Sequence, residues 1–375
     1  MRKKSVCIIR SNPVNPDSRV EKEAEALIEA GYSPQILCWD RERSYKIKNE
    51  YIHKGRIPIA RIGFKAGYAE GIRCIKSRIG FQLHMIEWIL LYGKEIDVIH
   101  ACDIDTALFS YIPSKIRGCK YVFDLFDFQC GDPKNIAQKL IRKLQIGLIS
   151  KADLTIICTE ERRLQICGSK PKKIAVVHNS PDTSFITESD YKIKNDNRIS
   201  IAYVGVFLEN RLLKEMIHYI SNNDSISFYI GGFGKLEKYI RNCSKRYNNI
   251  HYLGKLSYGE ALSLERQCDL MTAIYDPQIE NHKFAAPNKF YESLMLGKPI
   301  IMVRGTGMAK EVENNDIGVL IDYSEESFAD GLKNLIERKS EWNEMGEKMK
   351  KLYEEKYNWS IMKRRLTDAY NCLFE

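Results

Sequence analysis

A chain of 375 residues with 44% hydrophobic and 29% charged residues and a mean hydropathy of −0.36 is too large for one hydrophobic core and too apolar for disorder, so two globular domains are expected. Its most apolar stretch, Met85 to Tyr92, carries Glu87 and falls short of the ~20 residues that span a bilayer; with no secretion leader at the start, a cytoplasmic protein is expected. The net charge of +9 suits anionic ligands or an anionic lipid surface, and the even spread of basic residues, without zinc-finger, RNP or basic-heptad spacing, argues against nucleic acid.

In chain order, short Val- and Ile-rich runs alternate with segments of helical period, the pattern of βαβ units around buried parallel sheets. Predicted strands are Ser5–Arg10, Pro34–Cys38, Ile57–Ile62, Val98–Ala101, Lys120–Asp124, Leu154–Cys158 and Ile174–Val177. The first helix follows the first strand, with Ser18 as its cap, Glu21 three residues on, and Gly31 at its end. A polar stretch, 186–197, separates residues 1–185 from a second series over 198–357: Ile199–Val204, Ser227–Ile230, Ile250–Tyr252, Leu270–Ala273, Pro299–Val303 and Gly318–Ile321. A last helix is expected over 358–375. The eleven cysteines, with no CxxC pair, read as small hydrophobes of a reducing compartment.

Two nucleotide-binding halves invite a dehydrogenase or kinase reading, but the chain has neither GxGxxG after its first strand nor GxxxxGK[ST] anywhere. A glycine-rich turn, Gly231-Gly232-Phe233-Gly234, follows the strand Phe228–Ile230. The segment from Ala285 to Pro299 is more informative. Pro287 suits a helix start and Gly297 its end, while Asn288, Lys289 and Glu292 share a face near the start, where free amides favour phosphate. Neither Lys289 nor Glu292 lies on the apolar face of Phe290 and Leu294, so truncating either is expected to leave the fold intact.

Asp17-Ser18-Arg19-Val20-Glu21 with Ala30-Gly31, Asp97-Val98-Ile99-His100, Val177-His178-Asn179, Tyr203-Val204-Gly205, Gly231–Gly234, and Pro287-Asn288-Lys289 with Glu292 and Gly297-Lys298-Pro299 together resemble the GT-B-fold glycosyltransferases of the family 4 type. The resemblance implies an α/β protein of two Rossmann-like domains facing each other across a cleft, with the C-terminal helix returning to the first. It implies transfer, with retention, from a UDP- or GDP-linked sugar to a hydroxyl acceptor, in polysaccharide or glycoconjugate synthesis. The donor would meet Gly205, Arg211, Gly232, Gly234, Tyr258, Asn288, Lys289 and Glu292, the last matching the second glutamate of the family's E-x7-E motif. The first glutamate is replaced by Phe284. Lys214, near Arg211, reads as a solvated helix face.

On the acceptor side stand the loop residues Ser11, Asn12, Asp17 and Arg19, with Asp127, His100 and Asp103 as catalytic candidates. Asp103-Ile104-Asp105 imitates a DxD metal motif, but capping of the following helix is the more economical account, and no metal or other cofactor is expected. The rival readings are a nucleotide-sugar epimerase of the same fold and an inactive nucleotide-binding protein. The basic and apolar segment Arg56–Arg78, with Tyr68, Glu70, Ile72 and Arg73 inside it, suggests peripheral contact with a membrane carrying a lipid-linked or glycan acceptor.

Overall fold

A computed structural model describes residues 2–15, 17–53, 55–66, 74–186, 193 and 197–375. Most of the predicted linker, and Tyr68, Glu70, Ile72 and Arg73 of the basic segment, lie outside the described residues. The chain forms two compact units, one of Met1–His178 with Met362–Glu375 and one of Asn179–Ile361. The predicted boundary at 185 compares with 178 here. Asn179 Nδ2 donates to the Ala286 carbonyl at 3.0 Å and Tyr353 Oη to that of Pro181 at 2.8 Å, which ties the stretch after His178 to the second unit.

In the first unit, β1 (Ser5–Arg10), α1 (Ser18–Glu29), β2 (Ser33–Asp40), β3 (Tyr45–Ile52), β4 (Ile57–Gly63), α2 (Ile75–Tyr92), β5 (Val98–Cys102), α3 (Asp103–Ile116), β6 (Lys120–Leu125), α4 (Ile136–Lys151), β7 (Leu154–Ile157), α5 (Arg162–Gln165) and β8 (Ile174–Val176) succeed one another. The strands order as β3-β4-β2-β1-β5-β6-β7-β8. All neighbours are parallel except β3 and β4. The central strands read as apolar runs because helices cover both of their faces. The antiparallel edge strand β3, YKIKNEYI, is missing from the sequence reading because its charge, which protects a sheet edge, resembles a loop. The cap of α1 is Asp17 and not Ser18: the Asp17 carboxylate accepts from Val20 N, and Glu21 Oε1 accepts from Asp17 N at 3.0 Å.

The second unit runs β9 (Ile199–Phe207), α6 (Leu213–Ser221), β10 (Ile226–Gly234), α7 (Glu237–Arg246), β11 (Ile250–Tyr252), α8 (Tyr258–Gln267), β12 (Leu270–Ala273), α9 (Asn288–Leu296), β13 (Ile300–Val303), α10 (Ala309–Asn315), β14 (Gly318–Ile321), α11 (Glu325–Glu337) and α12 (Trp342–Leu352). Its six strands are all parallel, ordered β11-β10-β9-β12-β13-β14. A π-helical turn, Tyr353–Tyr357, ends the helical run before the extended Asn358. The last helix, α13 (Trp359–Asn371), supplies the first unit with the buried Met362, Leu366 and Tyr370. The two units are thus Rossmann-like parallel-sheet domains, and the expected return of the C-terminal helix to the first is present.

Gly231–Gly234 belongs to β10 rather than to a turn. Gly232 pairs with Gly205 and Gly234 with Phe207. A Cβ on Gly232, at φ 139°, would sit 1.9 Å from the Gly205 carbonyl oxygen. Glycine is required there so that two strands can approach.

Candidate active site

Because β9 has β10 on one side and β12 on the other, the second sheet has its topological switch point at β9, where open α/β sheets place their ligands. A cavity of about 380 Å³ lies at that point. Tyr203–Val206 at the end of β9 and Leu208 just after it, Thr272–Tyr275 at the end of β12 and beyond, Ala286–Lys289 leading into α9, Asn179 and Arg211 form its wall. The first turn of α9 faces it without a side-chain cap, so its orphan amides point to the cavity.

Arg211 sits in a single 3-10 turn after β9. Its guanidinium stacks 4.0 Å above the Tyr275 ring and donates to the Asn210 carbonyl at 2.9 Å. Its Nη1 also lies 3.4 Å from His282 Nε2. His282 Nδ1 lies 2.8 Å from the Asp276 carbonyl, which can only accept; Nδ1 therefore carries the proton and Nε2 is left to accept from Arg211.

Lys289 lines the cavity while its Nζ reaches Glu292 at 2.7 Å and Glu265 at 3.0 Å. Glu292, whose residue is 1% exposed, also bonds with the Tyr258 hydroxyl. Burial alone would lower the Lys289 ammonium, but the two glutamates outweigh it and hold it above its usual value. Burial, then the neighbouring Glu292, pushes Glu265 up to about 8. Two of the three ammonium donors are thus committed to carboxylates, which leaves the third for the cavity.

Of the predicted donor residues, Gly205, Arg211, Asn288 and Lys289 meet at this cavity; Glu292 and Tyr258 lie behind Lys289, and Gly232 and Gly234 stay within the sheet. The expectation that truncating Glu292 leaves the fold intact is corrected, because its carboxylate is a buried partner of both Lys289 and Tyr258. Lys214 is half-exposed and lies 3.6 Å from Glu209, in keeping with a solvated face. Glu265, Tyr275 and His282 are absent from the sequence reading. An acid four residues after Ala261, on the buried face of α8, is the signal that could have found Glu265. Tyr275 and His282 carry no such signal.

In the first unit the catalytic candidates separate. His100 is fully buried, its Nδ1 2.6 Å from Tyr370 Oη and its Nε2 3.3 Å from Asp124 Oδ2. It is a core residue and not a catalyst. Arg19 is likewise a structural cation, donating to Asp124 at 3.1 Å and to the Val177 carbonyl at 2.8 Å, with Glu23 3.0 Å from its Nε. Burial would raise Asp124, but Arg19 and His100 outweigh it and hold the carboxyl below its usual range.

Asp103 does not precede and cap a following helix. It starts α3 itself, pairs with Arg10, and accepts the amides of Phe126 and Asp127 at 3.0 Å each; burial pushes it up to about 7 against the opposing Arg10. Its work is to clamp the loop that carries Asp127. The Asp127 side chain is 67% exposed, the more accessible of the two candidate carboxylates. In the first loop, Asn12 Nδ2 and Arg10 both donate to Asp17, and Arg41 donates to the Ser11 carbonyl at 3.1 Å. These residues shape the loop.

The family described as Glycosyl transferases group 1 matches residues 185–356. Sucrose-phosphate synthase from Thermosynechococcus elongatus superposes with a TM-score of 0.77 at 13% identity over 99% of both chains. Anabaena HepE in complex with UDP-glucose gives 0.71 at 12%, over 98% of this chain and 99% of that one. The catalytic domain of starch synthase IV from Arabidopsis thaliana, bound to ADP and acarbose, gives 0.66 at 13% over 99% of both. At these identities the likeness shows the fold alone. Among curated proteins, the chain is 31% identical over 86 residues to the DNA-directed RNA polymerase subunit beta'' of Plasmodium falciparum, spanning 22% of this chain and only 9% of that protein, a match too short to bear on function. The chain has the fold of the GT-B glycosyltransferases, and its residues 185–356 match the family described as Glycosyl transferases group 1.

Proposed function

We propose that this protein transfers a sugar from a nucleoside diphosphate sugar, UDP- or GDP-linked, to a hydroxyl acceptor with retention, in the synthesis of cell-surface polysaccharide or glycoconjugate. The observation that carries the reading is the cavity at the end of β9, where Arg211, Lys289 and the uncapped start of α9 converge. Preorganised positive charge of this kind stabilises a departing diphosphate. The described wall residues include no carboxylate and no imidazole, so the cavity favours leaving-group binding over the proton shuttling that an epimerase needs.

Arg211, held flat by Tyr275 and His282, presents its fork to the diphosphate. Lys289 offers its remaining N–H, and the amides of Asn288 and Lys289 complete the cradle. Glu292 and Glu265 fix the ammonium, with Tyr258 orienting Glu292. Asp127, held by Asp103 on its loop, is assigned to orient the acceptor hydroxyl, and no metal is required. Retention follows from the resemblance to family 4.

Thermal-shift and nucleotide-release assays on the full chain, with a panel of UDP- and GDP-hexoses, test the reading. One donor is expected to raise the melting temperature and to release nucleoside diphosphate slowly in water, with both effects reduced in Arg211→Ala. Binding without release would mark an inactive nucleotide-binding protein, and the absence of both would sink the proposal.

A further inference from the structure

α2, α3 and α4 lie side by side on one face of the first sheet, with α3 packed against both of the others. Their inner sides supply Phe81, Met85, Ile89, Ala107, Leu148 and Ile149 to the core. Their outer sides are apolar as well. Ile79 and Leu83 on α2, Ile112 and Ile116 on α3, and Ile136 and Leu140 on α4 are 53% to 85% exposed. Each pair is four residues apart and makes one stripe on its helix. Single exposed apolar residues are ordinary, but stripes on three adjacent helices form a surface of the kind that meets a partner.

On α4 the charge beside the stripe has one sign. α4 carries Lys139, Arg142, Lys143 and Lys151 and no acid. Lys139, Arg142 and Lys143 also line a cavity of about 330 Å³ with Pro133, Ile146 and Gly168. Arg142 Nε is buried there without a hydrogen-bond partner. Among the described residues, no carboxylate pairs with any of these three cations.

We propose that this face seats the first unit on an anionic lipid bilayer, with the three stripes in the interfacial layer and the basic cavity receiving a lipid phosphate. A bilayer accounts for both observations at once: apolar side chains exposed on adjacent helices of one face, and an acid-free cavity in which the Arg142 Nε lacks a partner. Part of the basic segment singled out in the sequence adjoins this surface, since Lys76 and Arg78 open α2 just before Ile79, and part does not. Ile57 and Ile62 of β4 are core residues, and Arg61 is buried against Glu50. The proposal deepens the membrane contact suggested by the sequence and is independent of the donor cavity, which belongs to the other unit.

Flotation of the full chain with vesicles of phosphatidylcholine, and of phosphatidylcholine mixed equally with phosphatidylglycerol, tests it. The chain is expected to float with the anionic vesicles and to be released by salt. Leu140→Glu with Ile112→Glu should abolish flotation, and reversing Lys139, Arg142 and Lys143 to Glu should weaken it by about a hundredfold or more, with the melting temperature and nucleotide-sugar binding unchanged in both variants. Failure of the wild type to float, equal binding to both kinds of vesicle, or unimpaired flotation of the variants would overturn the proposal. So would light scattering that shows a dimer which Leu140→Glu with Ile112→Glu makes monomeric, since the face would then belong to a second copy. Nucleotide-sugar binding measured alongside keeps such a failure distinct from failure of the transferase reading.

Discussion

In the first unit, Arg19, Glu23, His100 and Asp124 sit together near the carboxyl edge of the sheet, closed over by Tyr370 of α13. In the second, Lys289, Glu265, Glu292 and Tyr258 form a comparable cluster near the same edge of the other sheet, but there Lys289 also lines an open cavity. Both clusters place charge inside a protein, which costs desolvation that only close partners offset. The difference is one of access. The sealed cluster ties α1, β5, β6 and α13 together, whereas the open one leaves an ammonium donor facing ligand-sized space. A titratable residue near a strand end is therefore not yet a site, and His100 and Asp103 show how that signal misleads.

The comparison can be broken most severely in the sealed cluster. Asp124→Ala leaves Arg19 buried without its main partner and should cost about 3–5 kcal/mol, read as a lower urea midpoint; a loss below about 1 kcal/mol would mean that the cluster is hydrated after all. In the open cluster the readout should shift from stability to ligand. Lys289→Met is expected to weaken nucleotide-sugar binding by about 1.5–3 kcal/mol in calorimetric titration, while His100→Gln lowers stability and leaves donor affinity unchanged. Equal donor affinity in wild type and Lys289→Met would remove Lys289 from the site.

Arg211→Lys sharpens the contrast by keeping the charge while losing the planar fork and much of the stacking on Tyr275. We expect a smaller loss of donor affinity, about 1 kcal/mol; a loss as large as that of Arg211→Ala would show that geometry outweighs charge. The smallest expected effect is on pH dependence. Glu265 has its folded value raised to about 8 from an ordinary 4.5, so the stability it contributes is fully present below about 4.5 and is lost as pH rises through about 8. Denaturation midpoints across that window should fall less steeply in Glu265→Gln, and an unchanged slope would assign the titration to another group.

Much of this was legible in one dimension. Apolar runs of three to six residues located the strands predicted in both units because parallel strands are buried on both faces and are therefore largely apolar. Gly297, at φ 65°, ends α9 where predicted, since a left-handed residue favours glycine and a Cβ there would crowd the Gly346 carbonyl oxygen at 3.0 Å. The run Pro287-Asn288-Lys289 pointed to the cavity wall because a helix start after a short loop is a local property. Partners contributed by distant segments were not legible. Glu265 meets Lys289 only because α8 lies beside α9. His282 steadies Arg211 across 71 positions, and Tyr370 meets His100 across 270. Residue order determined the secondary structure and the chemical inventory of each strand end. Tertiary packing alone decided which of those charges were sealed and which faced a cavity, because burial depends on what the rest of the chain places above them.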